Sequence, residues 1–216
     1  MRLRHLMTVL FGLFAVPGHA QQVGDTTIWN GVSTFGLSLE GGYQITPDWR
    51  ARAALMGGLN LKETQEQDGN SYDVDAQLGG VAMMLDYSPD GANWRMSGGL
   101  LVSRTTIETT VRGNAQDPIE YNGQSFSAGT ATSIAEFNRS LAPVVTVGYD
   151  YPISDRWVMS SEIGGVFIGG LDVDIRGDST ALQNAIDNDE DVQESRADAA
   201  DLSLYPYVSV SVGYRF

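Results

Sequence analysis

Apolar and polar side chains take turns right up to the last residue of the chain, and no other feature narrows the fold so far. In and around the closing stretch YPYVSVSVGYRF, Leu204, Val208, Val210, Val212, Tyr214 and Phe216 share one parity. Ser203, Ser209, Ser211, Gly213 and Arg215 share the other. A period of two belongs to a β-strand with two unlike faces. In a soluble sheet the apolar face would meet a core. Here the pattern recurs along the chain with aromatics at fixed places, and lipid is the better partner.

Three hairpins repeat one plan. FGLSLEGGYQI turns at Thr46-Pro47-Asp48 and returns as WRARAALMGGLNL; VAMMLDY turns through SPDGAN and returns as WRMSGGLLVS; APVVTVGYDYP turns at Ile153-Ser154-Asp155 and returns as RWVMSSEIGGVF. Pro, Asp and Gly supply the turn chemistry. Tyrosine precedes each short turn (Tyr43, Tyr87, Tyr149, Tyr151) and tryptophan follows it (Trp49, Trp94, Trp157). With Tyr214 and Phe216 they form a ring at one height once the strands stand side by side, which is the girdle that a lipid–water interface selects.

Phase agrees in most places. Phe35, Leu37, Leu39, Tyr43 and Ile45 oppose Gly36, Ser38, Glu40, Gly42 and Gln44, while Ala51, Ala53, Leu55, Leu59 and Leu61 oppose Arg50, Arg52 and Asn60. The polar face reads as small, glycine-rich and sparsely charged. One strand breaks phase: Val74, Ala76 and Leu78 lie on one parity and Val81, Met83, Leu85 and Tyr87 on the other, which predicts a β-bulge at Gly79-Gly80. Seven strands are plain, and a closed antiparallel ring needs an even number. The segment Val23 to Asn30, turning near Gly31, is the best eighth; a strand hidden in the middle loop is the other option.

The opening residues 1–20 read as a signal peptide, with Arg2, Arg4 and His5 ahead of an apolar run too short to span a membrane. Residues 21–216 are then the barrel domain, exported to the outer membrane. Cleavage removes both histidines, and the chain has no cysteine, so a Ser/His/Asp triad, a Cys/His pair, a structural zinc site and a disulfide are excluded by inventory. The full chain carries 13 Lys and Arg against 27 Asp and Glu; without Arg2 and Arg4 the balance is 11 against 27, a net charge of −16, which disfavours nucleic acid. Long connections occupy residues 62–72, 105–136 and 169–201, opposite the short turns. In the middle one Thr105, Ile107, Thr109 and Val111 alternate and IEYNGQSFS offers an Asn-Gly turn, which predicts a hairpin that continues the sheet above the membrane. The last is acidic, either a helix from Thr180 to Ala200 capped by Ser179 or a disordered loop.

By the signal peptide, the Tyr-turn-Trp hairpins and the ending VSVGYRF, the chain resembles the small Gram-negative outer-membrane β-barrel proteins, the OmpA- and OmpW-like group. The resemblance implies an all-β, up-and-down antiparallel transmembrane β-barrel of eight strands with long acidic extracellular loops. It also implies that the terminal Phe216 strand is recognised by the barrel-assembly machinery, and that outer-membrane lipid and lipopolysaccharide are the surroundings. A monomer is favoured.

Candidate chemistry lies on the inner face: Glu40, Arg50, Arg52, Arg95, Asp150, Glu162 and Arg215, with Asp75 nearer the loop end. Unpaired charge in a narrow lumen is costly, so carboxylate–guanidinium pairs are expected. Because an eight-stranded interior is only just wide enough for side chains, a structural plug is preferred over a gated pore. The membrane girdle is assigned to Tyr43, Trp49, Tyr87, Trp94, Tyr151, Trp157, Tyr214 and Phe216. The acidic run Asp187, Asp189, Glu190 and Asp191 departs from a calcium loop, with Val192 where glycine is needed and Asp198 where glutamate is needed. No cofactor or metal is expected. The favoured function is a structural role in the envelope that leaves room for slow passage of small molecules. The rival is transport of small hydrophobic or polar solutes, porin-like or with lateral exit through the wall. A lipid-modifying enzyme ranks last, because paired carboxylates can exchange protons but nothing sets a nucleophile beside them.

Overall fold

The computed structural model describes residues 22–67, 70–89 and 92–216; the expected signal peptide lies outside them. Eight strands close into a ring. They are β1 (Thr26–Ser33), β2 (Gly36–Gln44), β3 (Trp49–Gln67), β4 (Asn70–Tyr87), β5 (Trp94–Ser103), β10 (Leu141–Pro152), β11 (Trp157–Phe167) and β13 (Leu204–Arg215). Each is antiparallel to its neighbours, and β1 pairs with β13 from Thr27↔Arg215 to Ser33↔Ser209. Closure leaves no unpaired edge in lipid, which is the condition for strands to span a membrane.

The eighth strand is thus the segment around Val23–Asn30, but it runs on to Ser33 instead of turning near Gly31. There the chain reverses through Gly36 at φ 106°, a left-handed conformation that glycine permits. The reversal breaks the parity expected for Phe35, which is fully buried inside the barrel while Leu37 and Leu39 face outward. Two of the short turns share one device. Thr46 Oγ1 accepts from the Trp49 amide and Ser154 Oγ from the Trp157 amide, each at 3.1 Å. The tryptophan that opens the returning strand is thereby fixed by the turn itself.

β3 and β4 outgrow the barrel. Above it, β4 pairs from Ser71↔Arg112 to Gln77↔Thr106 with β6 (Thr106–Arg112), followed by β9 (Thr130–Phe137) and β12 (Leu171–Gly177). The bulge expected at Gly79-Gly80 belongs instead to β3. Register jumps between Met56↔Gly80 and Leu59↔Leu78, with Gly58 at φ 76°. The β4 glycines face the bulge: a Cβ on Gly79 would stand 3.1 Å from the Met56 carbonyl oxygen. One consequence is that Leu59 and Leu61 change face relative to Leu55, pairing with the inward positions Leu78 and Ala76.

The last long connection is helical, in two pieces, α1 (Thr180–Asp187) and α2 (Glu190–Asp201). Ser179 caps the first, its Oγ accepting from the Leu182 amide at 3.2 Å. Asp189 caps the second, its side chain accepting from the Val192 amide, and so divides the single helix expected. The Asn122-Gly123 turn, at φ 49° and 69°, closes a small hairpin of β7 (Ile119–Tyr121) and β8 (Gln124–Phe126). Leu182, Ile186, Val192, Val111 and Ile119 form a core between these elements and the inner face of the extension.

Candidate functional site: the barrel lumen

Three inward arginines meet four inward carboxylates at the short-turn half of the lumen. β3 supplies Arg50 and Arg52, β5 Arg95, β2 Glu40, β4 Asp86, β10 Asp150 and β11 Glu162, and each of the seven is at most 8% exposed. Arg52 is the central cation: its Nη1 donates to Glu40 at 2.6 Å and Glu162 at 2.9 Å, and its Nη2 to Asp86 at 3.2 Å. Arg50 donates to Asp86 at 2.8 Å and to Asp150 at 3.1 Å. Arg95 donates to Asp150, to Ser160 Oγ at 2.9 Å and to Glu162 at 3.0 Å. Ser160 and Thr146 donate to Asp150 and Glu162. The planar guanidinium fork lets one cation bond several carboxylates, and such multiple pairing keeps buried charge tolerable.

Asp86 is the residue sequence reasoning missed, although it faces all three arginines: Arg50 at 2.8 Å, Arg52 at 3.2 Å and Arg95 at 3.8 Å. Its parity was available from Leu85 and Tyr87, whose outward places force it inward. Two candidates are not in the cluster. Asp75 lies outside the barrel on the extension, paired with Lys62 at 2.8 Å. Arg215 keeps inward parity at the short-turn mouth but makes no ion pair among the described residues. Its charge brings the inward-facing set to four cations against four anions.

Glycine on the inner face makes room for this layer. A Cβ on Gly148 would sit 2.7 Å from Arg95 Cζ, and one on Gly42 would sit 2.7 Å from the ring of Trp29. Trp29 is itself 2% exposed, between Gly42 and Gly213, with the Arg50 guanidinium 4.7 Å from its ring centroid. That is a cation–π contact inside the polar layer.

A second layer lies above the first, and it corrects the expectation of a polar interior throughout. Phe35, Met56, Met84, Leu101, Val144, Val166 and Tyr207 pack together. Phe137 and Tyr205 close over Phe35, with ring centroids 6.2 and 5.2 Å away. The lumen is filled in series by ion pairs and then by apolar side chains.

Outside, the wall is apolar, with Leu39, Val145 and Ile163 among the residues 50–66% exposed. The girdle residues meet in cross-strand pairs at the short-turn end. Trp49 lies opposite Tyr87 with rings 4.8 Å apart, Trp157 opposite Tyr214 at 5.1 Å, and Trp94 opposite Tyr149. Tyr43 and Tyr151 point outward in the same band, and Phe216 stacks edge-on against Tyr214 at 5.1 Å.

A closed eight-stranded ring with a filled lumen, an apolar outer wall and an aromatic girdle defines an outer-membrane β-barrel protein. Solved structures with this fold include CarO2 of Acinetobacter baumannii, 16% identical, aligned over 91% of this chain and 100% of the other at a TM-score of 0.66. CarO of the same organism is 16% identical over 92% and 100%, at 0.65. A major outer membrane protein from Thermus thermophilus is 11% identical over 89% and 98%, at 0.39. No family model matches the chain, and no curated protein matches it in sequence.

Proposed function

We propose that this protein is a plugged outer-membrane barrel with a structural role in the envelope: a cylinder that anchors and presents the sheet-and-helix extension, and is not a conduit. The observation that carries this reading is the double filling of the lumen. An ion crossing it would have to displace a hydrogen-bonded network of three arginines and four carboxylates, then pass a layer that is apolar apart from its tyrosine hydroxyls. Transport of small solutes would require both layers to open together.

Conductance of the refolded protein in a planar lipid bilayer tests the proposal. The parent is expected to be silent. Arg95→Ala, which opens the polar layer alone, is expected to stay silent because the apolar layer remains. Stepwise currents in the parent that change with Arg95→Ala would replace the plug with a pore.

A further inference from the structure

We propose that the outer wall of β3, β4 and β5 is a docking groove for a membrane lipid with a phosphate headgroup, the head held at Arg104 and one acyl chain lying down the wall. Three observations meet there. First, a cavity of about 580 Å³ opens at the β3 bulge, lined from the belt by Leu55, Val81 and Val102 and from above by Asn60, Gln77 and Arg104. A second depression, of about 790 Å³, shares Val81 and Val102 and continues past Ala53 and Gly98 to Tyr43. The two form one channel along the outside of the barrel. It is deep because small residues stand where neighbouring positions carry Leu or Met, and a Cβ on Gly41 or Gly98 would meet nothing within 4 Å.

Second, Arg104 occupies the outward position next after Val102, where the apolar belt ends. It is exposed and has no ion-pair partner among the described residues, whereas Lys62, Arg112 and Arg176 of the extension are each held by an aspartate. A free guanidinium at headgroup level, in a chain of net charge −14, suits a phosphate that can accept two of its N–H groups.

Third, the length fits. Gly98 lies six residues below Arg104 on the same line of chain, about 20 Å at ~3.3 Å per residue. With strands tilted by roughly 35–45°, that descent is about 15 Å, the depth of one leaflet.

Native mass spectrometry of the refolded full chain, released from detergent, tests the groove with dioleoyl phosphatidate, dioleoylglycerol and inorganic phosphate as probes. The parent is expected to keep one phosphatidate and to bind the other two at least tenfold more weakly. Arg104→Ala should lose about tenfold in phosphatidate retention and Arg104→Lys much less. Gly98→Leu, which fills the channel and leaves the arginine in place, should lose several-fold. Each variant is first shown to be folded by its gel mobility before and after boiling. Retention by Arg104→Ala within twofold of the parent, equal binding of dioleoylglycerol, or equal binding of inorganic phosphate would each overturn the proposal. The plug is read by conductance, which these substitutions leave untouched, so the two readings fail separately.

Discussion

β4 passes as one continuous strand from the barrel into the extension, keeping its own alternation across the jump in its register with β3, and its two faces exchange solvents on the way. In the barrel, Val81, Met83 and Leu85 point out to lipid and Asp86 points in to arginine. In the extension the outward side carries Asp73 and Asp75, while Val74, Ala76 and Leu78 continue the inward line. The lower region is held by hydrogen-bonded charge inside an apolar wall. The upper one is an ordinary sheet whose apolar face is covered by helices and whose charges meet water. Alternation therefore counts faces but does not say which face is wet; the medium at each height decides that.

The contrast predicts where charge matters. Replacing Asp86 with alanine leaves three buried arginines short of an acceptor, a loss of about 3–5 kcal/mol for a broken buried network. The folded, heat-modifiable form should become much less stable to guanidinium. Removing Asp73, whose exposed pair with Arg112 sits on the outer face of the extension, should leave the midpoint unmoved. Equal effects from the two would show that the lumen network is not set apart by burial.

Apolar truncation should give the reverse geography. Leu182 is fully buried and seated on Gly177, where an added Cβ would stand 2.7 Å from its Cγ. Leu182→Ala should cost about 3 kcal/mol of local stability. Protease should then cut α1 and α2 while the barrel keeps its gel mobility. If barrel and extension failed together, the two regions would be one cooperative unit and not two.

The same contrast explains what was readable beforehand. Ring, girdle and turns were legible because each depends on local pattern: Tyr43 and Trp49 flank a turn that their own neighbours build. Asp86 was legible in principle by counting parity from Tyr87, but it stands among Ala82 and Met84, so no run of polar residues marks it. The apolar layer was not legible, since Met56, Leu101 and Val144 come from separate strands, and only strand register places them together inside the barrel. Phe35 was misplaced because parity cannot foresee a left-handed glycine at position 36. The continuation of the sheet above the barrel was legible in the alternation of Thr105, Ile107, Thr109 and Val111, which β6 bears out, but its partners β9 and β12 were not: alternation announces a strand and is silent about its neighbour.

Acid should separate the two regions most gently. The Asp189 carboxylate accepts from the Asn122 amide of the β7–β8 hairpin and, at 3.0 Å, from the Val192 amide at the start of α2. These N–H donors, Asn122 first, hold its pKa below the usual aspartate range. A group whose folded pKa is depressed adds stability that is fully present above its unfolded value, about 3.9, and is lost as pH falls through the folded value. The contact between hairpin and helix should thus loosen below about pH 4. Amide exchange in β7, β8 and the first turn of α2, corrected for intrinsic rate, should rise a few-fold there, with the barrel amides of β10 and β11 as internal reference. Asparagine caps a helix about as well as aspartate but carries no charge to lose, so Asp189→Asn should flatten the response while keeping α2 formed. An undiminished acid response in that variant would move the proton to another carboxylate and take Asp189 out of the link between hairpin and helix.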